Sequence, residues 1–508
     1  MFKVCLNSLK PKLNDYFGRR ALLAPSVLKS FVLHKDKYIH FCLNTFPFEE
    51  EISMIVNKII SQKAEIIFFS SYVWNINKIK EICLLLKNRI NTIIAVGGPE
   101  ITHIEKESLF KNNIIDFVII GEGEEALYSL IAKIKKKQND FFKIPNIVFK
   151  QNNEIINTSF KLLDISKHDY PLIIDSLNEY SRVCYETSRG CIWKCKFCLW
   201  HKGKGKLRYY PINKVKNDLV IIFKSHGIEM LEIVDADINM NINRAIEIFK
   251  HIRNLNDKRE KEGLNRVYLQ IETNPQILHN DVIVELVKHD RILDFGLQTI
   301  NENLNMSLGR VYTKDIYFKK LNLIVNKESD KFSEHMLEII YGLPDDNLIG
   351  FINTIKYILD LPYEIYFWSF RLLVMPGTYF YEKAHELKIL FNNNPPYQVM
   401  RTATWSNNDL NKARELSFYF FLIQFCFPSI FNLVKFHFRG DRFKMFYDLF
   451  EYYRSEYKEL SSLETKIGEE TYQFQKCRSF ISAPANKLLI KKILMESERF
   501  IKNNAQRN

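Results

Sequence analysis

The segment that decides the fold contains three closely spaced cysteines: Ser188-Arg189-Gly190-Cys191-Ile192-Trp193-Lys194-Cys195-Lys196-Phe197-Cys198. The spacing C-x3-C-x2-C brings three thiolates into one small volume. Iron–sulfur clusters are held by cysteine thiolates, and a four-iron cluster usually takes four of them. A loop that supplies three ligands leaves one iron free to bind another molecule. We therefore predict that Cys191, Cys195 and Cys198 hold a four-iron cluster with one open iron.

A zinc site is the main alternative for these cysteines. Zinc normally takes four nitrogen or sulfur ligands in paired C-x2–4-C groups, and no second pair lies nearby in the sequence. Cys184 lies seven residues upstream of Cys191 in a predicted strand and offers no matching spacing. The cluster is therefore favoured over a zinc knuckle or three structural thiols.

With an aromatic residue, Phe197, just before its last cysteine, the motif resembles the signature of the radical S-adenosylmethionine (SAM) enzymes. In that family SAM binds the open iron through its amino and carboxylate groups. The reduced cluster then cleaves SAM to a 5′-deoxyadenosyl radical, which abstracts a hydrogen atom. The resemblance implies that Cys191, Cys195 and Cys198 are catalytic metal ligands and that the backbone of Phe197 lies near adenine.

The sequence from residue 181 predicts alternating strands and helices. We expect a partial (β/α)6 barrel, as the resemblance also implies, because six strands are predicted without a seventh and an eighth. The cluster loop follows the first strand, at the C-terminal mouth where barrel sites lie. The predicted strands are Val183–Thr187, Met230–Val234, Val267–Glu272, Leu293–Gln298, Met336–Tyr341 and Ile365–Leu373.

Polar residues follow several of these strands and are candidates to bind SAM. Carboxylates such as Asp235 and Glu272 suit the ammonium and ribose of SAM, and an arginine suits its carboxylate. Arg310 resembles the residue that meets this carboxylate in the family, and Gln298 ends the fourth strand. The alternatives are a helix cap for Asp235 and a salt bridge for Arg310.

The first 150 residues predict a doubly wound, Rossmann-like α/β domain. Its predicted strands are Tyr38–Leu43, Ala64–Ser70, Thr92–Val96 and Phe117–Ile120. Ligands bind at the C-terminal ends of strands in such sheets. Small or polar residues follow all four strands, although ordinary turns would also use them: Asn44, Ser71, Tyr72, Gly97, Gly98, Gly121, Glu122 and Gly123.

These loops resemble the cobalamin-binding domain that precedes many radical SAM domains, so we assign these eight residues as candidate cobalamin contacts. The motif D-x-H-x-x-G, which supplies a histidine to cobalt in some cobalamin proteins, does not occur in the sequence. The resemblance therefore implies cobalamin bound without a protein histidine.

These patterns divide the chain into four parts. We predict a cobalamin-binding domain at residues 1–150, a linker containing a hairpin at 151–180, and a radical SAM barrel at 181–395. A helical region at 396–508 would cap the barrel or select the substrate.

The composition limits the class of protein and its location. The 508 residues are 46% hydrophobic, yet we find no run of about 18 uncharged apolar residues, so we expect no membrane span. The start of the chain lacks the features of a signal peptide. Nine cysteines do not form a disulfide scaffold, and cluster ligands must be reduced, so we expect a cytoplasmic protein.

The net charge of +13 arises from lysines and arginines that are spread along the chain. A basic stripe would indicate nucleic acid, whereas this spread is typical of a Lys-, Ile- and Asn-rich composition. We therefore expect no nucleic-acid partner.

The leading hypothesis is a cobalamin-dependent radical SAM C-methyltransferase. It would act on an unactivated carbon of a natural product or peptide and receive electrons from a donor such as flavodoxin or ferredoxin. A non-methylating cobalamin radical SAM enzyme, performing rearrangement or cyclisation, is the first alternative. The second is a methylthiotransferase acting on RNA or protein, whose second cluster would need Cys5, Cys42 and Cys83. A non-enzymatic protein with a structural cluster is the last.

Overall fold

The structure is a computed structural model that describes residues 2–10, 20–104, 106–110, 113–200, 206–326, 332–460, 462 and 483–505. Its first eight strands are β1 Phe2–Lys10, β2 Arg20–Ala21, β3 Ile39–Pro47, β4 Ile66–Ser70, β5 Ile93–Gly97, β6 Phe117–Ile119, β7 Ile147–Gln151 and β8 Glu154–Asn157. The helices among them are α1 Leu23–Lys35, α2 Ile52–Ser61, α3 Ile76–Lys87, α4 Pro99–His103, α5 Lys106–Phe110 and α6 Glu124–Lys135.

Seven of these strands form the first sheet, in the order β3-β1-β4-β5-β6-β7-β8. The pairs from β3 to β6 are parallel, and the hairpin of β7 and β8 adds two antiparallel strands. Buried apolar side chains on both faces of the sheet pack against helices. The five parallel strands have the flavodoxin-like order, whose ligands bind where the strand order reverses, here beside β1. The doubly wound fold is confirmed.

Two predictions about the first sheet were wrong. The predicted strands omit β1, which is an interior strand of the sheet and pairs with both β3 and β4. In addition, the strand expected to end at Leu43 continues to Pro47, so Asn44 lies inside a strand rather than in a loop.

The second sheet forms the partial barrel. Its order is β16-β15-β14-β13-β12-β9-β2, and all its neighbouring strands are parallel. The six predicted strands are therefore present, and β2 adds a seventh at the edge beside β9. The later strands are β9 Arg182–Tyr185, β10 Ser188–Arg189, β11 Arg208–Tyr209, β12 Met230–Ile233, β13 Tyr268–Thr273, β14 Arg291–Gln298, β15 Ser333–Tyr341, β16 Tyr366–Arg371, β17 Leu390–Phe391 and β18 Val399–Arg401.

The barrel helices cover the outer face of this sheet and share one apolar core with it. They are α7 Ile212–Phe223, α8 Ile242–Lys261, α9 Asn280–Leu286, α10 Glu302–Ser307, α11 Lys314–Val325, α12 Leu348–Asp360 and α13 Tyr379–Glu382.

The C-terminal helices are α14 Asn407–Cys426, α15 Pro428–Asn432, α16 Arg442–Glu456 and α17 Lys487–Ala505, with a π-helical turn at Leu433–His437. They share the apolar core of the barrel. The Gln424 side chain accepts a hydrogen bond from the Phe367 backbone N–H (2.9 Å) and donates one to its carbonyl (3.1 Å). It therefore pairs with the open edge of β16, which would otherwise be an exposed template for another strand.

Within the described ranges, no single helix combines the length and the apolar composition needed to cross a membrane. Helix α14 and the segment Pro428–His437 meet that test only as a pair, bent by 103°.

Candidate functional site

The cluster loop, defined here as residues 190–198, lies at the mouth of the barrel and is held through its backbone. The Lys196 N–H donates to the Leu308 carbonyl (3.0 Å), and the Lys196 carbonyl accepts from the Phe380 N–H (3.3 Å). Gly309 has φ +83°, and a Cβ there would lie 2.6 Å from the Lys194 carbonyl oxygen. Segments that follow two different strands therefore fix the loop, and Gly309 permits the close approach.

The three thiols of this loop have surroundings that suit a cluster. The Trp200 N–H lies 3.4 Å from the Cys198 sulfur, and Arg310 Nη1 lies 3.7 Å from the Cys195 sulfur. Burial raises the pKa of Cys198 to about 11 and also raises that of Cys191. Iron binds thiolates, so cluster assembly on this loop releases protons.

The described side chains do not form a site for a single metal ion. Among the described residues, no three His, Cys, Asp or Glu side chains converge on one ion position. A zinc ion needs its ligands at about 2.0–2.3 Å from one point, whereas a cluster spreads its thiolates around a larger inorganic core. The donor set, three thiols that receive N–H groups, therefore fits an iron–sulfur cluster better than zinc.

Two predicted SAM contacts, Arg310 and Gln298, converge beside the cluster loop. Arg310 Nη2 donates to the Gly296 carbonyl (2.6 Å). A Cβ on Gly296 would lie 3.2 Å from Arg310 Nη2 and 2.9 Å from Gln298 Nε2, so the absence of a side chain there admits both groups. Gln298 itself has φ +67° after a β-bulge in β14. Strained backbone of this kind is common at functional sites.

The Asp235 carboxylate accepts four hydrogen bonds from two residues of the protein. It accepts from the N–H and hydroxyl of Thr187 (2.6 Å each) and from those of Ser188 (3.2 and 2.7 Å). These bonds hold the chain that leads into the cluster loop, so the structure gives Asp235 a supporting position. Its predicted contact with SAM stays a prediction, and so does that of Phe197, which packs partly buried against the barrel core.

Two polar residues near the mouth act as helix caps. Asp237 caps the short helix Ile238–Met240 and also accepts from the Asn274 N–H (3.2 Å), while burial raises its pKa to about 6. Asn301 caps α10 by accepting from the Leu304 N–H (3.1 Å).

Glu272 lies on β13 near other carboxyl groups of the barrel strands. Its side chain keeps accessible surface, yet burial within the barrel, with Asp294 and Glu232 nearby, raises its pKa to about 7. Glu338, on β15, has its pKa raised by burial and by the negative charges of Glu272 and Asp294. These carboxyl groups therefore titrate near neutral pH beside the predicted SAM contacts.

A hydrogen-bonded network lies deeper in the barrel and was missed from the sequence. Arg182 donates to Glu232 (2.9 Å) and to Gln270 (2.6 Å), and Gln270 donates to Asp294 (2.7 Å). Arg20, from β2, donates to both Glu232 oxygens (2.6 Å each) and to the sulfur of Cys184 (2.8 Å). Polar residues at alternate positions of otherwise apolar strands were the available signal, because alternate residues face the barrel interior.

The predicted cobalamin loops after β4 and β5 contact each other. The Ser71 N–H and hydroxyl both donate to the Gly97 carbonyl (2.7 and 3.0 Å). Gly98 has φ +120°, and a Cβ there would collide with the Ser71 carbonyl. Tyr72 follows and is 36% exposed, with its ring stacked 5.8 Å from that of Trp74. These small residues at the edge of the sheet allow close approach by a large ligand, and Tyr72 offers it an aromatic surface.

Tyr72 also faces the barrel. Burial raises its pKa, and the charges that act on it include those of Cys184 and Arg20 in the second sheet. Tyr72 therefore lies within electrostatic range of the barrel network.

Asn44 and Glu122, two predicted cobalamin contacts, are engaged elsewhere. Asn44 donates to Cys5, Asn7 and Gln62 (2.8–3.1 Å) in a buried network inside the first domain. Glu122 accepts from Arg208 at both oxygens (2.7 and 3.0 Å), which lowers its pKa against the effect of burial. Their contacts with cobalamin stay predictions, and these partners give each side chain a structural position.

The glycines on either side of Glu122 have separate roles. Gly121 has φ +68°, and its N–H donates to the Thr102 hydroxyl (3.2 Å). Gly123 precedes α6, and a Cβ there would lie 3.2 Å from Leu28. Gly121 therefore has a backbone conformation that favours glycine, and Gly123 leaves room for Leu28. Their contacts with cobalamin stay predictions.

A second contact joins the domains at α4. The Tyr397 hydroxyl donates to buried Glu100 (2.5 Å), whose pKa is raised by burial. Gly377, with φ +88°, lies against the His103 ring, since a Cβ there would be 2.5 Å from Nδ1. The turn at residues 375–378 therefore contacts the first domain.

The three thiols of a second cluster are not brought together. Cys5 and Cys42 are neighbours on β1 and β3, but Cys83 lies fully buried on α3 in the apolar core. Burial raises the pKa of Cys5 to about 12 and raises that of Cys83 further. These positions do not suit iron ligands.

Comparison with known proteins matches both cofactor domains. Residues 43–131 match the family model of the B12 binding domain, and residues 185–358 match that of the Radical SAM superfamily. The first matched segment contains the predicted cobalamin loops, and the second contains the cluster loop.

Two curated relatives match over shorter lengths. The cobalamin-dependent radical SAM methyltransferase TokK of Streptomyces tokunonensis is 24% identical over 313 residues, 58% of this chain and 45% of that protein. The anaerobic magnesium-protoporphyrin IX monomethyl ester cyclase of Synechocystis sp. is 30% identical over 174 residues, 32% of this chain and 34% of that protein. The chain thus spans less than half the length of these relatives.

Among solved structures, the cobalamin-dependent SAM radical enzyme OxsB with aqua-cobalamin bound has a similar fold. The TM-score is 0.69 at 15% identity, covering 100% of this chain and 81% of that chain. Both domains and their order in the chain therefore agree with the sequence motifs, and the chain belongs to the radical SAM proteins that carry a cobalamin-binding domain.

Proposed function

We propose that the protein is a cobalamin-dependent radical SAM C-methyltransferase that acts on an unactivated carbon of a small molecule or peptide. The observation that carries the proposal is the arrangement of the two domains. The segment that leads into the loop of Cys191, Cys195 and Cys198 contacts the C-terminal edge of the B12-type sheet, where Arg189 pairs with Glu124 (2.6 Å). A substrate between the two domains would contact both cofactor sites.

When bound, the cluster and SAM supply radical chemistry and cobalamin carries a transferable methyl group. The protein holds these groups and excludes water. We assign Arg310 to the SAM carboxylate, and the position of its guanidinium beside Cys195 (3.7 Å) supports this assignment. Gln298 and Glu272 offer amide and carboxyl groups to the ribose and ammonium, and Ser71, Gly97 and Gly98 shape the cobalamin edge.

The setting of the reaction follows from the cluster. Its thiols require a reducing compartment, so we place the enzyme in the cytoplasm. An electron donor such as a flavodoxin or ferredoxin would reduce the cluster through the exposed side of the loop.

A cobalamin radical SAM enzyme that does not methylate is the second candidate. The similarity to the Synechocystis cyclase supports it. Isotope transfer decides between the two, because only a methyltransferase passes label from methyl-labelled SAM to its product.

The first experiment measures cofactor loading. We expect anaerobically reconstituted protein to bind about four irons per chain and one cobalamin, and to cleave SAM to 5′-deoxyadenosine under a strong reductant. The variant Cys195→Ala should lose iron and SAM cleavage but keep cobalamin, whereas the control Cys426→Ala should keep all three. Iron without cobalamin uptake would refute the cobalamin assignment. Bound iron without SAM cleavage would support a structural cluster. About eight irons per chain would support a methylthiotransferase.

A further inference from the structure

Arg189 is buried between the two domains and adjoins the cluster loop. Its side chain is 7% exposed, and Gly190, with φ +98°, alone separates it from Cys191. Arg189 Nε and Nη2 donate to one oxygen of Glu186 (2.8 and 2.5 Å), within the barrel. The same guanidinium lies over the ring of Tyr210 at 5.6 Å.

The other partners of Arg189 come from the first domain. Its Nη2 lies 2.6 Å from Glu124 Oε1, and its Nη1 lies 3.5 Å from Glu122 Oε1. Glu124 is the first residue of α6 and is 3% exposed. The ion pair between Arg189 and Glu124 therefore connects the segment before the cluster to the helix that follows the last parallel strand of the first sheet.

A second arginine strengthens this connection. Arg208 lies opposite Arg189 in the antiparallel pair of β10 and β11, and it holds Glu122. Two arginines of one hairpin thus bind two glutamates of one loop. Breaking a buried ion pair leaves an unpaired buried charge, whereas exposed pairs contribute little.

We propose that Arg189 is a positioning residue that sets the placement of the cluster loop relative to the cobalamin face of the first domain. This inference depends on the proposed function, since it concerns transfer between two cofactor sites. The hydrogen bond from Tyr397 to Glu100 fixes the same two domains at α4. With two fixed points, the distance between the cofactors is set by the protein before substrate binds.

The test compares Glu124→Gln and Arg189→Lys with the control Arg253→Lys. Arg253 also pairs with a buried glutamate, Glu285 (2.8 Å), but on the outer helices of the barrel. Glu124→Gln keeps the shape of the side chain and removes its charge. Arg189→Lys keeps the charge and removes the branched guanidinium, which can bind several carboxylates at once.

The first readout is hydrogen exchange of the protein without cofactors. We expect the amides of residues 121–127 and 187–195 to exchange at least about tenfold faster than in wild type in both test variants. Their exchange rates should not change in the control. Unchanged exchange in both test variants would overturn the proposal. Thermal unfolding of each variant separates this local effect from global unfolding.

The second readout is the magnetic interaction between the reduced cluster and cob(II)alamin in loaded protein. We expect the spin–spin splitting to change in Glu124→Gln, with iron and cobalamin contents within about twofold of wild type. Full loading with unchanged splitting would overturn the proposal. If wild-type protein binds neither cofactor, the proposed function fails, and hydrogen exchange still decides whether Arg189 connects the loop to the first domain.

Discussion

Replacing Gly309 with alanine should displace the cluster loop while leaving the barrel folded. Gly309 has φ +83°, and the new Cβ would lie 2.6 Å from the Lys194 carbonyl oxygen, one residue before Cys195. Reaching even 3.0 Å, a separation that real Cβ atoms essentially never undercut, requires a shift of at least 0.4 Å. That oxygen belongs to the backbone of the loop, so the loop itself has to move.

The size of the effect follows from two separate costs. A left-handed backbone costs a residue other than glycine about 1–2 kcal/mol. Forced overpacking adds about 1–3 kcal/mol, which corresponds to roughly 5- to 150-fold in the equilibrium that keeps the loop in place. Because metal ligands have to be held within about 0.5 Å of their proper positions, we expect iron binding to suffer most.

The matched control is Gly263→Ala. Gly263 has a similar φ of +75°, but a Cβ there would meet nothing within 4 Å. Both variants should lose thermal stability, measured by circular dichroism, through the left-handed backbone, and Gly309→Ala should lose more because of its overpacking. Only Gly309→Ala should also lose iron and sulfide after anaerobic reconstitution. Equal iron contents in the two variants would refute the reasoning.

Three further predictions concern burial and charge. Burial lowers the pKa of Lys435 from its ordinary 10.5 to about 7, so the unfolded state binds more protons between these values. The thermal midpoint of wild type should therefore rise relative to Lys435→Met from pH 7 to pH 10, and parallel pH profiles would contradict this. Gln424→Leu leaves the N–H and carbonyl of Phe367 unpaired and should cost about 1–3 kcal/mol per group in chemical denaturation; an unchanged midpoint would exclude a role in covering the edge. Because the pKa of Glu272 is raised to about 7, its carboxylate forms as the pH rises from 6 to 8. SAM affinity should increase over that range in wild type but not in Glu272→Gln, as followed by the cluster EPR signal.

The parts of the fold that were predictable depend on strong local patterns. The six barrel strands are mostly apolar segments that alternate with amphipathic helices, and C-x3-C-x2-C needs no tertiary information. By contrast, β1 has the sequence Phe-Lys-Val-Cys-Leu-Asn-Ser-Leu-Lys, in which polar Asn7 and Ser8 interrupt the apolar pattern. Asn7 is tolerated in this interior strand because it donates to the Phe68 carbonyl (3.0 Å) and accepts from Asn44 (2.8 Å). Such pairing involves residues far apart in sequence and cannot be read from either segment alone.

The site was predictable only in part, for a related reason. The sequence identifies which residue types end a strand. It does not show which partner each side chain then has in a hydrogen bond or ion pair. Glu122 and Glu124 lie in one Gly-Glu-Gly-Glu loop, which suggests a ligand, yet both pair with arginines of the barrel hairpin. Asp235 likewise holds Thr187 and Ser188. In both cases a carboxylate supports the segment that leads into the cluster loop.

Three contacts between the domains are directional polar pairs, and this has a functional consequence. The apolar core of the barrel and C-terminal helices is separate from those of the first domain, and α1 packs against both sides through Val27 and Leu28. The polar pairs are Arg189 with Glu124, Arg208 with Glu122, and Tyr397 with Glu100. An apolar interface would have to close around its own side chains to be stable, because voids forfeit packing contacts. Directional polar contacts fix the orientation of the two domains at a few points, which suits domains that would hold cofactors between them.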